Sequence, residues 1–192
     1  ESDETFEDVQ QPYDNVTQES ALRFSAIWSC VQILSESLAV LPIGVYKSLS
    51  GGGKESQKDH YAYKLLHTEP NFIMSSFTFR RVMMANLLLT GNAYAKIIRN
   101  KATPIELQVI NPENVTVEIV GGKPYYIIWD INGKEVLKYW EILHIIGLST
   151  DGITGKSPIT SHKDSISVAL ATKTFGKNFY KNGAQLSGTL TH

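Results

Sequence analysis

The chain has 192 residues, 42% apolar and 19% charged, enough to bury about 70% of the surface its unfolded form exposes, which excludes disorder and collagen-like order. Its formal net charge of −1 conceals a division: residues 1–20 carry seven acids and no Lys or Arg, whereas the remainder carries 12 acids against 18 bases. The lone Cys30 excludes an internal disulfide framework and favours a reducing compartment, and the richest apolar stretch, Ala21 to Val45, is interrupted by Arg23, Gln32 and Glu36, well short of the ~18 uninterrupted residues of a membrane span.

Residues 1–16 read as a flexible acidic arm, with too few apolar side chains to repay ordering. From Thr17 the residues Leu22, Ile27, Val31, Leu34 and Leu38 recur at helical steps, widened by Trp28 and Ile33. This predicts one amphipathic helix of about six turns, capped by Thr17 or Ser20 and stopped by Pro42. A strand from Pro42 to Ser48 follows, ended by Ser50-Gly51-Gly52-Gly53, then a short helix over Tyr61 to His67. Ser75 or Ser76 is expected to cap a second long helix, Phe77 to Leu89, closed by Gly91.

Beyond Asn92 the period changes to two. Candidate strands are Ala93 to Arg99, Ile105 to Ile110, Val115 to Val120, Tyr125 to Ile131, Glu135 to Tyr139 and Ile142 to Leu148. Gly121-Gly122 and Asn132-Gly133 supply two-residue hairpin links of the kind that need positive φ. Ser157-Pro158 starts a third long helix, which Asn182-Gly183 is expected to end. The fold class is therefore α+β, with three long helices and an antiparallel-rich mixed sheet. With Glu1 at one end and Leu190-Thr191-His192 at the other, the sequence reads as a piece of a longer protein.

The most enzyme-like segment is Thr150-Asp151-Gly152-Ile153-Thr154-Gly155-Lys156-Ser157, between an apolar strand and a helix. A phosphate-binding loop needs that placement, because backbone amides and a helix N-terminus cradle the phosphates. Against it, Thr150 stands where the loop's first Gly belongs, Pro158 removes an amide, and no apolar strand ending in Asp follows. The competing reading is a Gly-containing turn capped by Ser157-Pro158. Gly51-Gly52-Gly53-Lys54 reads as a plain turn.

His144 sits mid-strand without a second His at two or four residues and without a nucleophile elbow in the chain, so it reads as a satisfied, partly buried strand histidine. His60, His67, His162 and His192 are scattered, Cys30 reads as a small buried side chain on its helix stripe, and the sequons at Asn15 and Asn114 lack a secretory context. No catalytic, metal or cofactor site is assigned. On the last helix Lys173, Lys177 and Lys181 form a ridge about 12 Å long, with Lys163 near the same face. The ridge is either a row that tracks a nucleic-acid phosphate backbone or a solvated face opposite Ile166, Leu170, Phe175 and Phe179.

Taken in series, five segments resemble the portal proteins of tailed bacteriophages. They are Val16-Thr17-Gln18-Glu19-Ser20-Ala21-Leu22-Arg23 running on to Leu41-Pro42 and Val45-Tyr46; Leu65-Leu66-His67-Thr68-Glu69-Pro70-Asn71; Leu88-Leu89-Thr90-Gly91-Asn92-Ala93-Tyr94-Ala95; Asp151-Gly152 with Gly155-Lys156-Ser157-Pro158-Ile159; and Phe179-Tyr180-Lys181-Asn182-Gly183-Ala184.

The resemblance implies the N-terminal half of a portal subunit: a wing-type α+β domain over 17–156, a helix over 157–183 leading to or forming part of the stem, and the start of a clip region at 184–192. It implies a structural, non-enzymatic protein that assembles as a ring of about a dozen subunits at the phage head vertex. Such a ring serves genome packaging, ejection and head–tail connection. Its implied partners are further copies of itself, head shell and scaffold proteins, the packaging ATPase (terminase), a tail adaptor and duplex DNA in the channel, with Lys173, Lys177 and Lys181 as candidate DNA- or channel-facing residues. The implied location is the virion, with assembly in the host cytoplasm and no membrane. A nucleotide-binding enzyme using Gly155-Lys156-Ser157 is the alternative.

Overall fold

The computed structural model describes residues 16–131, 133–181 and 183, so residues 1–15 of the expected arm and 184–192 of the expected clip lie outside it. Helices α1 (Gln18–Leu22) and α2 (Ser25–Val40) open the chain. The ribbon β1 (Tyr46–Ser48) and β2 (Lys54–Ser56) follows, then α3 (Tyr61–Tyr63) running into a wider helical turn at Lys64–Thr68, and α4 (Ser76–Thr90). Six strands come next: β3 (Asn92–Asn100), β4 (Thr103–Ile110), β5 (Val115–Val120), β6 (Lys123–Asp130), β7 (Gly133–Lys138) and β8 (Ile142–Ile146). The chain closes with α5 (Pro158–Ser161) and α6 (Lys163–Lys181).

Two of the predicted continuous helices are broken. Thr17 does cap the first, through a reciprocal capping box with Ser20 (Ser20 N to Thr17 Oγ1 3.1 Å, Thr17 N to Ser20 Oγ 2.9 Å). The helix then ends at Leu22, and Phe24, in extended conformation, starts α2. At the other end Ser157 and Pro158 start α5 as expected, but His162 leaves the helical region (φ −116°, ψ 23°) and α6 restarts at Lys163. Both breaks occur where Ala21, Ile159 and Ile166 converge with Leu89 in one buried cluster: short segments turn their apolar side chains onto a common centre that one straight cylinder would pass. The longest helices are α2, α4 and α6, with 16, 15 and 19 residues.

Beside the β1–β2 ribbon, strands β3 to β8 form two antiparallel three-stranded sheets, ordered β4-β3-β8 and β5-β6-β7, rather than one mixed sheet. Central to both layers is β3. Its period-two pattern sends Ala93 and Ala95 toward Leu65, Phe79 and Met83, while Tyr94 faces Tyr126, Ile128 and Leu137 of the second sheet. Lys96, on the Tyr94 face, reaches across to Glu135 of β7 at 2.5 and 2.8 Å. Thus β3 is covered on both sides, by α4 and by the second sheet, and its small alanines let α4 approach closely.

Gly121 and Gly122, both at positive φ (59° and 74°), join β5 to β6 as expected. The β6–β7 hairpin pairs Asp130 with Gly133, so Gly133 lies in the ladder rather than at the centre of the turn as expected. Its Asn132 lies outside the described residues.

The packing of α2 departs most from expectation. Its buried residues are the small ones, Ser35 and Ala39, which let α4 lie close, whereas Leu34 and Leu38 of the predicted core stripe are 49% and 42% exposed. Cys30 is exposed as well. On α6, Ile166 is buried and Leu170 packs against it, but Phe175, expected on the same face, is 72% exposed.

The α4–sheet layer is the deepest part of the core. Phe79→Ala, at a position 4% exposed, is expected to cost about 3–5 kcal/mol, to be read from the denaturant midpoint at unchanged slope.

Candidate functional site

The sequence placed its chemistry at the loop before α5, and the structure gives that loop a definite job. Helix α4 ends on Gly91, whose left-handed φ of 77° turns the chain directly into β3. Here three glycines meet. The Gly147 N–H donates to the Gly91 carbonyl at 2.8 Å. A Cβ on Gly155 would stand 1.8 Å from that same oxygen, and one on Gly91 would stand 2.3 Å from the Lys156 carbonyl oxygen. Only glycine permits this approach of backbone to backbone.

Asn92 fastens the contact. Its side-chain Nδ2 donates to the Gly155 carbonyl at 2.8 Å, and its Oδ1 accepts from the Gly155 N–H at 2.7 Å. One side-chain amide therefore pairs with both polar groups of Gly155, as a neighbouring strand would. Ser157 adds a second tie: its hydroxyl donates to the Leu89 carbonyl at 2.7 Å and accepts from the Thr160 N–H at 3.2 Å, capping α5. The loop itself is folded around Asp151, whose Oδ1 accepts from the Ile153 and Thr154 amides at 2.8 and 3.0 Å and lies 2.8 Å from the Ser149 hydroxyl. The Thr154 and Ile153 amides, then the Ser149 hydroxyl, hold this exposed carboxyl far below the usual carboxylate range.

These bonds decide the phosphate-loop question. The amides of Gly152, Ile153, Thr154, Gly155 and Lys156 donate respectively to Ser149, Asp151, Asp151, Asn92 and the Leu148 carbonyl. A phosphate cradle requires such amides to converge on open space. Here the run is committed within the protein, and α5 has four residues. Gly155-Lys156-Ser157 is a structural junction, and the nucleotide-binding alternative loses its physical basis.

His144 is the satisfied, partly buried strand histidine the sequence indicates, and it belongs to the same assembly through partners on other strands, which no sequence spacing reveals. Because Asn92 Oδ1 is an acceptor, the His144 Nε2 at 3.1 Å from it carries the proton, and Nδ1 accepts from the Tyr126 hydroxyl at 3.2 Å. Tyr94 stacks on the imidazole (centroids 4.3 Å apart, 30° between planes), and Tyr126 meets it edge-on at 5.5 Å. Burial lowers the His144 pKa to about 4. Tyr94 is raised to about 12, by burial first and by the neighbouring Tyr126 second, and burial also raises Tyr126. The group is therefore a neutral relay, Gly155 to Asn92 to His144 to Tyr126, joining the loop to both sheets.

A second Asn does similar work at the far sheet edge. Asn71 Nδ2 donates to the Leu107 carbonyl at 2.8 Å, and its Oδ1 accepts from the amides of Ile73 and Met74 at 2.9 and 2.8 Å. The Leu107 N–H donates to the Pro70 carbonyl at 2.8 Å, so Pro70-Asn71 is bound to the outer edge of β4. The remaining histidines serve locally: His60 caps α3, His67 Nδ1 lies 2.9 Å from the Ile43 carbonyl, and His162 Nδ1 lies 3.0 Å from the Pro158 carbonyl.

The lysine ridge is exposed on α6. Lys173, however, donates its Nζ to the Arg23 carbonyl at 3.1 Å, bridging α6 to the break between α1 and α2. Among the described residues there is no group of three or more His, Cys, Asp or Glu that could hold a metal, and no helix long and apolar enough to cross a membrane.

Removing the latch should be costly. Asn92→Ala leaves both polar groups of Gly155 and the His144 donor unmatched, an expected loss of about 2–4 kcal/mol, and Gly155→Ala forces two backbones apart at about 3 kcal/mol. Chemical denaturation of each variant measures both. Stability also depends on pH in a definite direction. The His144 pKa is about 4 folded against about 6.5 unfolded, so between these values the unfolded chain binds the extra proton and stability falls as pH is lowered. Melting temperature should decline from pH 6.5 to pH 4, and His144→Gln should flatten that part of the profile while lowering the plateau.

A family model described as "Phage portal protein" matches residues 25–192. The portal protein of Enterobacteria phage HK97 is 31% identical over 173 residues, covering 89% of this chain and 41% of that protein. The probable portal protein of Streptomyces phage phiC31 is 31% identical over 182 residues, covering 89% and 39% respectively. The chain thus spans about two fifths of the length of these curated relatives. Among solved structures, a chain in the neck of a native GTA particle computed with C12 symmetry superposes with a TM-score of 0.71 at 21% identity, over 94% of this chain and 49% of that one; this likeness speaks to the fold. With a match across most of its length, the chain belongs to the phage portal protein family.

Proposed function

We propose that this chain is the N-terminal part of a structural portal subunit, which builds a ring-shaped DNA channel at a phage head vertex and does no bond chemistry. The observation that carries the reading is the use made of the shared motifs. Leu65 to Asn71, Gly91-Asn92 and Asp151 to Pro158 are spent on holding helices, loop and sheets in fixed relation. Rigid placement of large surfaces is what a closed ring asks of its subunit. Its surface supports the same reading, with Trp28, Trp129, Trp140 and Tyr180 exposed by 55%, 54%, 47% and 78%, residue types favoured at protein contacts.

In this reading residues 17–156 form the wing-type domain, 157–183 lead to the stem, and 184–192 begin the clip. The ring has about a dozen copies, as the resemblance to portal proteins implies. Head shell and scaffold proteins, the packaging ATPase, a tail adaptor and duplex DNA are its partners, in the virion and, during assembly, in the host cytoplasm. Lys177 and Lys181 face the DNA path, while Lys173 is shared with the bond to Arg23.

Mass measurement on the full-length gene product should give a ring of about twelve subunits, and a strictly monomeric protein would overturn the proposal. In the assembled ring, Lys177→Glu with Lys181→Glu should lower sequence-independent DNA retention and reduce its salt slope by about 2. An unchanged slope would return the ridge to a solvated face.

A further inference from the structure

Two exposed apolar features lie on opposite edges of the β4-β3-β8 sheet. At the β4 edge the loop after Asn71 presents Phe72 and Ile73, 100% and 90% exposed. This tip is held in place: Asn71 accepts from the Ile73 and Met74 amides while its own amide is bound to Leu107 of β4. Its ordering is therefore already met before any contact is made. At the β8 edge an apolar groove of about 370 Å³ runs between α2, α4 and β8, lined by Leu38, Leu41, Leu66, Met84, Leu143 and Ile145 among others. The groove exists because α2 packs on α4 through Ser35 and Ala39, leaving its leucines to form a wall.

Charge supports a match between the two. Beside Phe72 lie Glu69, ion-paired with Lys64 at 3.5 Å, and the carboxylate of Glu106, and the charged residue lining the groove is Arg80, which donates to the Ser76 and Leu41 carbonyls and keeps its positive charge. A protruding tip and a receiving groove at different places on one subunit make a heterologous contact, which repeats around a closed ring; two identical patches would instead close a dimer. The two edges lie on either side of three strands, roughly 10 Å between the outer strand axes, so the tip and the groove are separate surfaces.

We propose that Phe72 and Ile73 of one copy insert into the α2–α4–β8 groove of the next copy, forming a subunit contact of the ring. The inference rests on the ring reading above and adds where one contact lies and which residues make it. Glu106 approaches Arg80 across the rim, so the contact weakens with salt.

The test uses the full-length gene product with Cys30→Ser throughout. Ile73→Cys on one batch and Leu41→Cys on another, mixed under mild oxidation, should give a disulfide-linked dimer that neither batch gives alone. Phe72→Ser with Ile73→Ser, and separately Leu41→Glu, should raise the concentration needed for assembly by about tenfold or more, with circular dichroism unchanged and melting unchanged below the parent's assembly concentration, because all three positions are exposed. If the parent protein assembles while these variants assemble equally well and no mixed disulfide forms, the contact is overturned and the ring reading stands. A parent protein that stays monomeric at all concentrations overturns both.

Discussion

The structure depends on the approach of two peptide segments at Gly91 and Gly155. The end of a helix, the start of the strand that follows it and a loop distant in sequence must share a volume too small for a single Cβ, and the loop's polar groups must still be satisfied. Glycine at three positions meets the first demand, and the Asn92 side chain meets the second by pairing with the backbone of Gly155. From this point α4 fixes the angle of β3, β3 carries both sheets, and Ser157 directs the chain into α5. A loosened junction would release all three at once.

Polar groups continue inward from there. Buried polar networks are favourable only when every member is satisfied, and here the acceptor role of Asn92 dictates the His144 tautomer, which dictates that Tyr126 donates. A neutral histidine fits between two tyrosines whose phenols stay protonated. The network gives the interface between the sheets a definite register, where aliphatic packing alone would tolerate sliding. Motifs that look enzymatic in isolation, a Gly-Lys-Ser run and a strand histidine, are thus accounted for as architecture.

The distribution of apolar residues shows a division of labour. Interior contacts between α2, α4 and β3 use Ser35, Ala39, Ala93 and Ala95, while Trp28, Leu38, Leu41, Phe72, Ile73 and Phe175 remain exposed. Small residues at the α2–α4 and α4–β3 contacts bring the elements close, while the large exposed side chains leave apolar surface available for contact.

By itself the sequence determined the local structure: the period-two strands, the cap at Ser157, the glycine turn at 121–122 and the helix end at Gly91, because each depends on residues a few positions apart; between Thr17 and Ser20, and between Ser75 and Ser76, the fold chose Thr17 and Ser75 as caps. The order of its motifs determined the family. Tertiary structure alone decided where the first and last helices break, that the strands divide into two sheets, and which side of α2 is buried. It also decided that Asn92 is the residue binding Gly155, since that pair is separated by 63 positions and meets only through the fold. Periodicity reports that a face is apolar, but whether the face is covered depends on how closely other backbones approach, and here three glycines and four small side chains set that distance.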